Sequence, residues 1–238
     1  MSRPFVSVVT PTYNRRRFIP YLIECYKHQL YPKDKMEWII LDDGTDSVKD
    51  LFDQVKDIPN LRYIRAEPTP KLLIGKKRNI LNKEAKGDII VAMDDDDYYP
   101  PERVSHAVTL LMSQPKTELA GASEIYMYYT DIKTIYKCGP FGPKHATNGT
   151  MAWKKSYGKT HLYDETVSKA EERSFLENYI HPMVQLDPFK TMLVLSHSQN
   201  TFDKTKLREQ ESPVLKKTEV KINKFIKQVN LRNFYKDA

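Results

Sequence analysis

The sequence predicts an α/β fold: a mainly parallel, twisted sheet flanked by helices on both faces. Two observations lead there. Over roughly the first hundred residues, short apolar runs alternate with segments of helical spacing, the pattern of successive βα units. Three of the four apolar runs also end in polar clusters, TPTYN, DDGT and DDDD. In an open parallel sheet these clusters converge on one crevice beyond the carboxyl ends of the strands, where such folds bind ligands.

Taken in order, FVSVVT (5–10), EWIILDD (37–43), LRYIRA (61–66) and DIIVAMD (88–94) read as strands. They are short apolar runs, as expected of strands in a parallel sheet covered by helices on both faces. Between them, RRFIPYLIECYKHQ, DSVKDLFDQVK and GKKRNILNKEAKG have helical spacing, the last closed by Gly87 in a C-cap position. A helix over about 102–113 follows, then two β-like segments, LAGASEIYMYY and KTIYKCG, and a Gly/Pro-rich loop, CGPFGPKHATNG. This second half is expected to be a mixed region built onto the same sheet. A further helix around 168–179 precedes the apolar run TMLVLS and His197. From about Thr205 the chain becomes Lys-rich, with VKINKFIKQV an amphipathic candidate helix. The expected organisation is one domain over 1–205 and a separate basic, helical tail over 206–238.

At 238 residues, 40% hydrophobic and 11% aromatic, the chain can bury a sizeable core. No apolar run approaches the roughly 18 to 20 residues of a membrane span, and the N-terminus lacks a signal-peptide core, so a cytoplasmic protein is expected. Cys25 in a predicted helix and Cys138 in a predicted loop form no CxxC pair, which predicts neither a disulfide framework nor a structural zinc site. The net charge of +7 is concentrated at one end: residues 204–238 hold ten Lys/Arg against four Asp/Glu. The body is therefore nearly balanced, and no nucleic-acid partner is expected. The basic tail suits a weak contact with a membrane surface or a partner, or simply a solvated helix face.

The stretch VAMDDDDYYPP sets four consecutive carboxylates at the end of a predicted buried strand. Their mutual repulsion is relieved most simply by a metal ion. Side chains alternate along an extended strand end, so Asp94 and Asp96 are expected to point together, with Asp95 elsewhere. Two hard oxygen donors suit Mg²⁺ or Mn²⁺. A solvated acidic loop, or a set of caps for the helix after Pro101, is the alternative.

Together, VSVVTPTYNR, WIILDDGT, GKKRN and GDIIVAMDDDDYYPPERV, in that order, resemble the signature of the family 2 inverting glycosyltransferases of GT-A (nucleotide-diphospho-sugar transferase) fold. The shared segments are a Pro-x-Tyr-Asn strand end, an Asp-Asp-Gly-Ser/Thr strand end, an Arg-Asn helix and a DxD motif. The resemblance implies a nucleotide-sugar donor, usually UDP- or dTDP-linked, bound with Mn²⁺ or Mg²⁺, and an acceptor hydroxyl such as that of a glycan. It further implies that Pro11 and Tyr13, with Thr10 beside them, line the base pocket and that Asp43 accepts a hydrogen bond from uracil. Arg78 would lie near the base or diphosphate, while Lys76 and Lys77 depart from the small residues usual there. Asp95 would contact the ribose and Asp96 the metal, with Asp94 supporting. The four-Asp run leaves this register open by one residue.

The segment HATNGTMAWKKSYGKTHLYDETVSKAEERSFLENY resembles the family's acceptor region, whose acidic pair is here Glu171 and Glu172 in place of the usual Glu-Asp. The resemblance implies Glu172 as catalytic base, with Glu171 the alternative. Asn148 and Trp153 could shape the sugar pocket, though Trp153 equally suits a core. His197 stands where a third metal ligand or a diphosphate contact is found, or is structural. His28, His106, His145, His161 and His181 fall in no ligand pattern. Two rival readings are a nucleotidyltransferase, whose glycine-rich phosphate loop TPTYNRRR lacks, and a non-catalytic nucleotide-sugar or glycan-binding module.

Overall fold

The computed structural model describes residues 3–197, 200, 204–209 and 212–237. Its strands are β1 (Val6–Thr12), β2 (Met36–Asp42), β3 (Leu61–Arg65), β4 (Ile89–Ala92), β5 (Leu119–Gly121), β6 (Ile125–Tyr129), β7 (Thr134–Cys138), β8 (Ala152–Lys154), β9 (Met183–Gln185), β10 (Leu193–Ser196) and β11 (Leu215–Lys217). The helices are α1 (Ile19–Lys27), α2 (Lys49–Asp53), α3 (Ile74–Glu84), α4 (Arg103–Ser113), α5 (Lys155–Thr160), α6 (Glu172–Phe175), α7 (Lys204–Glu209) and α8 (Val229–Asp237).

Seven strands form the main sheet in the order β3-β2-β1-β4-β8-β5-β9, with β1 to β4 mutually parallel and β8 antiparallel to both its neighbours. Apolar residues bury both faces. Val6, Val8, Trp38, Ile40, Ile89 and Val91 belong to one core, and Val9, Ile39, Leu41, Ile90 and Ala92 to the other. That two-sided burial is why these strands read as continuous apolar runs.

The second half departs from a single mixed sheet. LAGASEIYMYY bends at Ser123–Glu124, where the Ser123 N–H donates to Gln185 Oε1 at 2.8 Å. Its first part, β5, joins the main sheet, while β6 joins a separate four-stranded sheet of order β10-β6-β7-β11. Cys138 ends β7 and does not lie in a loop. The helix expected over 168–179 shrinks to α6 and one 3-10 turn, because Ala170, Glu177, Asn178 and Tyr179 have φ of 55°, 45°, 56° and 64°. Left-handed residues cannot continue a right-handed helix. Nor is Gly87 a C-cap: α3 ends at Glu84, and Ala85 takes the cap position in an extended conformation. Gly87 instead lies against β1, donating its N–H to Ser7 Oγ at 2.8 Å where a Cβ would stand 2.4 Å from the Ser7 nitrogen.

The basic tail is not a separate element. Its β11 pairs antiparallel with β7, and Ile222, Phe225, Ile226, Leu231 and Tyr235 are buried in the same core as β1 and α1. VKINKFIKQV forms only a 3-10 turn at Ile222–Lys224, and the helix follows it as α8. The amphipathic pattern there marks an irregular segment, apolar side inward and Lys221, Lys224 and Lys227 outward. The Tyr235 hydroxyl donates to the Asp97 carbonyl at 3.2 Å, so the tail buttresses the acidic run directly. Tyr235→Ala is expected to cost about 3–5 kcal/mol of stability in urea unfolding, the range for emptying a buried aromatic site. Deletion from Pro213 onward is expected to leave a chain that does not fold. No helix among the described residues is long and apolar enough to cross a membrane.

Candidate active site

The carboxyl ends of β1, β2 and β4 and the N-terminal half of α3 meet at the end of the main sheet where such folds bind ligands in a crevice. β1 runs two residues beyond the expected end, so Thr10 and Pro11 lie inside the strand and are buried. The Thr10 hydroxyl is fully used there: it donates to the Met93 carbonyl at 2.7 Å and accepts from Trp38 Nε1 at 2.9 Å. Thr10 therefore does not line the crevice. Tyr13 does, with Lys71 Nζ 3.9 Å and Lys77 Nζ 5.4 Å from its ring centroid.

The two acids of DDGT divide the work. Asp42 shapes the turn: it accepts from the Gly44 and Val48 N–H groups at 2.8 and 3.1 Å and from the Tyr63 hydroxyl at 2.5 Å, and it pairs with Arg65 at 3.1 Å. Asp43 is fully buried beside Lys77. Its Oδ2 accepts from the Leu72 N–H at 2.8 Å and its Oδ1 pairs with the buried Lys77, which also donates to the Thr12 carbonyl at 3.0 Å. Burial lowers the Lys77 pKa against the opposing pull of Asp43.

Helix α3 can approach the 163–165 segment because position 75 is glycine; a Cβ there would stand 2.0 Å from the Asp164 carbonyl oxygen. Asn79 holds the approach. Its Nδ2 donates to the Tyr163 carbonyl and its Oδ1 accepts from the Tyr163 N–H, both at 2.9 Å. One turn of helix then presents Arg78, only 7% exposed, to two carboxylates. Its Nη1 and Nη2 grip Asp94 at 2.9 and 3.3 Å, and its Nε donates to Glu171 at 2.7 Å. Asn148 lies 2.7 Å from both Arg78 Nη1 and the Tyr163 hydroxyl, and its amide satisfies both when its oxygen faces the guanidinium. Burial works against the Arg78 charge, but Asp94 and Glu171 outweigh it.

The acidic run does not continue β4 as an extended strand, for β4 ends at Ala92 and Asp95–Asp96 form a turn. Alternation therefore fails: Asp94 turns to Arg78, whereas Asp95 and Asp96 share Arg15, at 4.0 and 3.6 Å. Asp96 Oδ2 lies 3.2 Å from His197 Nε2 and 3.3 Å from Asn200 Nδ2. Asp97 faces inward, accepting the Leu195 N–H at 2.8 Å, and burial pushes its carboxyl up to about 8. Burial, with Asp96 beside it, pushes Asp95 up to about 7. Burial acts on Asp96 too, yet the His197 hydrogen bond and the charges of Lys204 and Arg15 hold it below the usual carboxylate range. A carboxylate and an imidazole side by side fit a divalent ion such as Mn²⁺, which accepts both donor types. Asp94, committed to Arg78, is not part of that pair.

Glu171 and Glu172 are separated by their surroundings. Glu171 is buried on Arg78, while Glu172, the first residue of α6, is partly exposed. Burial and the neighbouring Glu171 push the Glu172 carboxyl up to about 7. Trp153 is 1% exposed, with its ring edge-on to Phe175 at 5.3 Å, and belongs to the core. Sequence reasoning singled out neither Arg15, Asn79 nor Tyr163. The Asn79 of GKKRN could have been found, since a polar residue next to a functional one on a helix faces a different neighbour. Arg15 and Tyr163 carried no local signal.

The family model described as Glycosyl transferase family 2 matches residues 7–158. Poly(ribitol-phosphate) beta-N-acetylglucosaminyltransferase TarS of Staphylococcus aureus is 31% identical over 106 residues, 44% of this chain and 18% of TarS. The structure of S. aureus TarS 1-349 in complex with UDP-GlcNAc has a TM-score of 0.67 at 21% identity, covering 82% of this chain and 59% of that one. A mannosyltransferase, PcManGT from Pyrobaculum calidifontis, in complex with GDP-Man and Mn²⁺, gives 0.65 at 17% identity, covering 84% and 59%. At such identities the structural likeness shows the fold. The aligned part of TarS is under a fifth of that protein's length.

Proposed function

The chain belongs to glycosyl transferase family 2 and has the GT-A fold, and from that premise we propose that it is a metal-dependent, inverting glycosyltransferase. It moves a sugar from a nucleotide-sugar, UDP-linked in our reading, to an acceptor hydroxyl, for instance of a glycan. The observation that carries this reading is the Arg78 bridge. One guanidinium joins Asp94, from the strand end that opens the acidic run, to Glu171, from the half read as acceptor region, and so ties the Glu171–Glu172 pair to the acidic run. The UDP-GlcNAc complex of TarS and the GDP-Man and Mn²⁺ complex of PcManGT support a nucleotide-sugar donor and a divalent ion.

In this reading Tyr13 flanks the base, the buried Asp43–Lys77 pair backs it, and Asp95 faces the ribose. Asp96 and His197 would hold a divalent ion, Mn²⁺ by the imidazole in the donor set, which would supply positive charge against the diphosphate that leaves. Glu172 takes the proton of the acceptor hydroxyl as its oxygen attacks the anomeric carbon from the face opposite the diphosphate, which inverts that centre. Arg78 holds Glu171 and Asp94 in place. Lys217, Lys221, Arg232 and Lys236 of the tail, with Lys133, border a cavity of about 620 Å³ on the second sheet, and this basic surface suits a weak membrane or partner contact.

Binding distinguishes this from a fold without a metal role. UDP titrated calorimetrically in the presence of Mn²⁺ is expected to bind wild type. Its affinity falls at least about tenfold in Asp96→Asn or after EDTA, since loss even of an outer-shell partner costs 10–100-fold. Equal UDP affinity in all three samples contradicts the metal assignment.

A further inference from the structure

Away from the strand ends, the C-terminus of α5 meets the turn that follows α6. There, three ligand atoms, one each from His161, Glu177 and His181, all lie within 4.8 Å of one another, the only such group of His, Cys, Asp or Glu among the described residues. His181 Nε2 is 2.9 Å from Glu177 Oε2, and His161 Nε2 is 3.8 Å from Glu177 Oε1. Each donor is oriented. The His161 ring stacks on Tyr157 at 3.8 Å with planes 1° apart, and its Nδ1 faces the Tyr157 carbonyl at 3.1 Å and the Thr160 hydroxyl at 2.9 Å. A carbonyl on Nδ1 keeps the proton there and leaves Nε2 as the open donor, the arrangement found behind metal-bound histidines.

The opposite wall is held by unusual backbone. Glu177, Asn178 and Tyr179 are three consecutive non-glycine residues with φ of 45°, 56° and 64°. Such conformations persist where the surroundings require them, and they concentrate at ligand sites. Here they end the helical run and carry Glu177 and His181 round to face His161, with the two imidazoles edge to face at 4.9 Å.

We propose that His161, Glu177 and His181 form a binding site for a borderline divalent transition metal, Zn²⁺ foremost. Two imidazoles and one carboxylate match that ion's preference, whereas Mg²⁺ and Ca²⁺ favour oxygen alone. Water completes the fourth position. The two cysteines led to no expectation of a structural zinc site, and this donor set uses neither of them. Bound metal ties α5 to the turn after α6, fixing the segment that begins with Glu171 and Glu172.

The test titrates Zn²⁺ alone into EDTA-stripped full-length chain, followed by calorimetry and thermal unfolding. Wild type and Asp96→Asn are both expected to bind at this site and to melt higher with Zn²⁺. His161→Ala, His181→Asn and Glu177→Gln each weaken that binding at least tenfold and lose the thermal shift. Should His161→Ala misfold through loss of its stack on Tyr157, the half-exposed Glu177→Gln, checked by circular dichroism, decides. No Zn²⁺ binding by wild type, binding unchanged in His181→Asn and Glu177→Gln, or binding lost only in Asp96→Asn overturns the proposal.

Discussion

Glu172→Gln is expected to lower the rate of sugar transfer by roughly 10²- to 10⁴-fold while leaving UDP binding almost unchanged. The substitution keeps the size of the side chain and removes only its capacity to take a proton. Glu172 suits that task because burial and the adjacent Glu171 push its carboxyl up to about 7, close to working pH, where a base is both ionised and effective. The base acts when deprotonated, so wild-type kcat rises as pH rises through about 7. In Glu172→Gln the residual rate loses that rise. Glu171→Gln differs, because it releases Arg78 and disturbs nucleotide binding and stability as well as rate. Steady-state rates for the three proteins across pH separate the outcomes. Near-normal transfer by Glu172→Gln with collapse in Glu171→Gln moves the role by one residue, and normal transfer in both removes it from the pair.

Arg78→Met destabilises the fold by about 3–5 kcal/mol, the cost of leaving buried charge without its partner. Two carboxylates, Asp94 and Glu171, lose their shared counter-charge together, and Glu171 is 7% exposed. Arg78→Lys keeps the charge but cannot grip Asp94 with two parallel hydrogen bonds while reaching Glu171, so it falls between the two. Urea unfolding measures both. A loss below about 1 kcal/mol in Arg78→Met would show that the bridge is solvated and does not join the two halves of the site.

Strands β1, β2 and β4 were legible because burial on both faces leaves a largely apolar run, β3 because Leu61, Tyr63 and Ile64 remain apolar at the half-buried sheet edge, and the parallel order followed from the helices between them. Ser123–Glu124, where one apolar stretch divides between two sheets, was not legible, since nothing in LAGASEIYMYY marks which strand each half will find. The tail misled for a related reason: a Lys-rich surface hid Phe225, Ile226 and Tyr235, whose burial depends on distant partners. In the site, DDGT, Arg78 and the acidic run could be read as a motif, but not the turn at Asp95–Asp96 that sends Asp94 to Arg78 and Asp96 to His197. Likewise, Glu177 and His181 stand four apart in sequence, yet only the left-handed turn brings them to His161.

The most direct measurement is release of UDP from a panel of UDP-sugars by the full chain with Mn²⁺, with and without EDTA, alongside Asp96→Asn and Glu172→Gln. The account predicts UDP release by wild type with one or more sugars, abolished by EDTA, and strongly reduced in both variants. Release that persists undiminished in EDTA and in both variants, or none from any nucleotide-sugar by a chain that binds UDP, contradicts it.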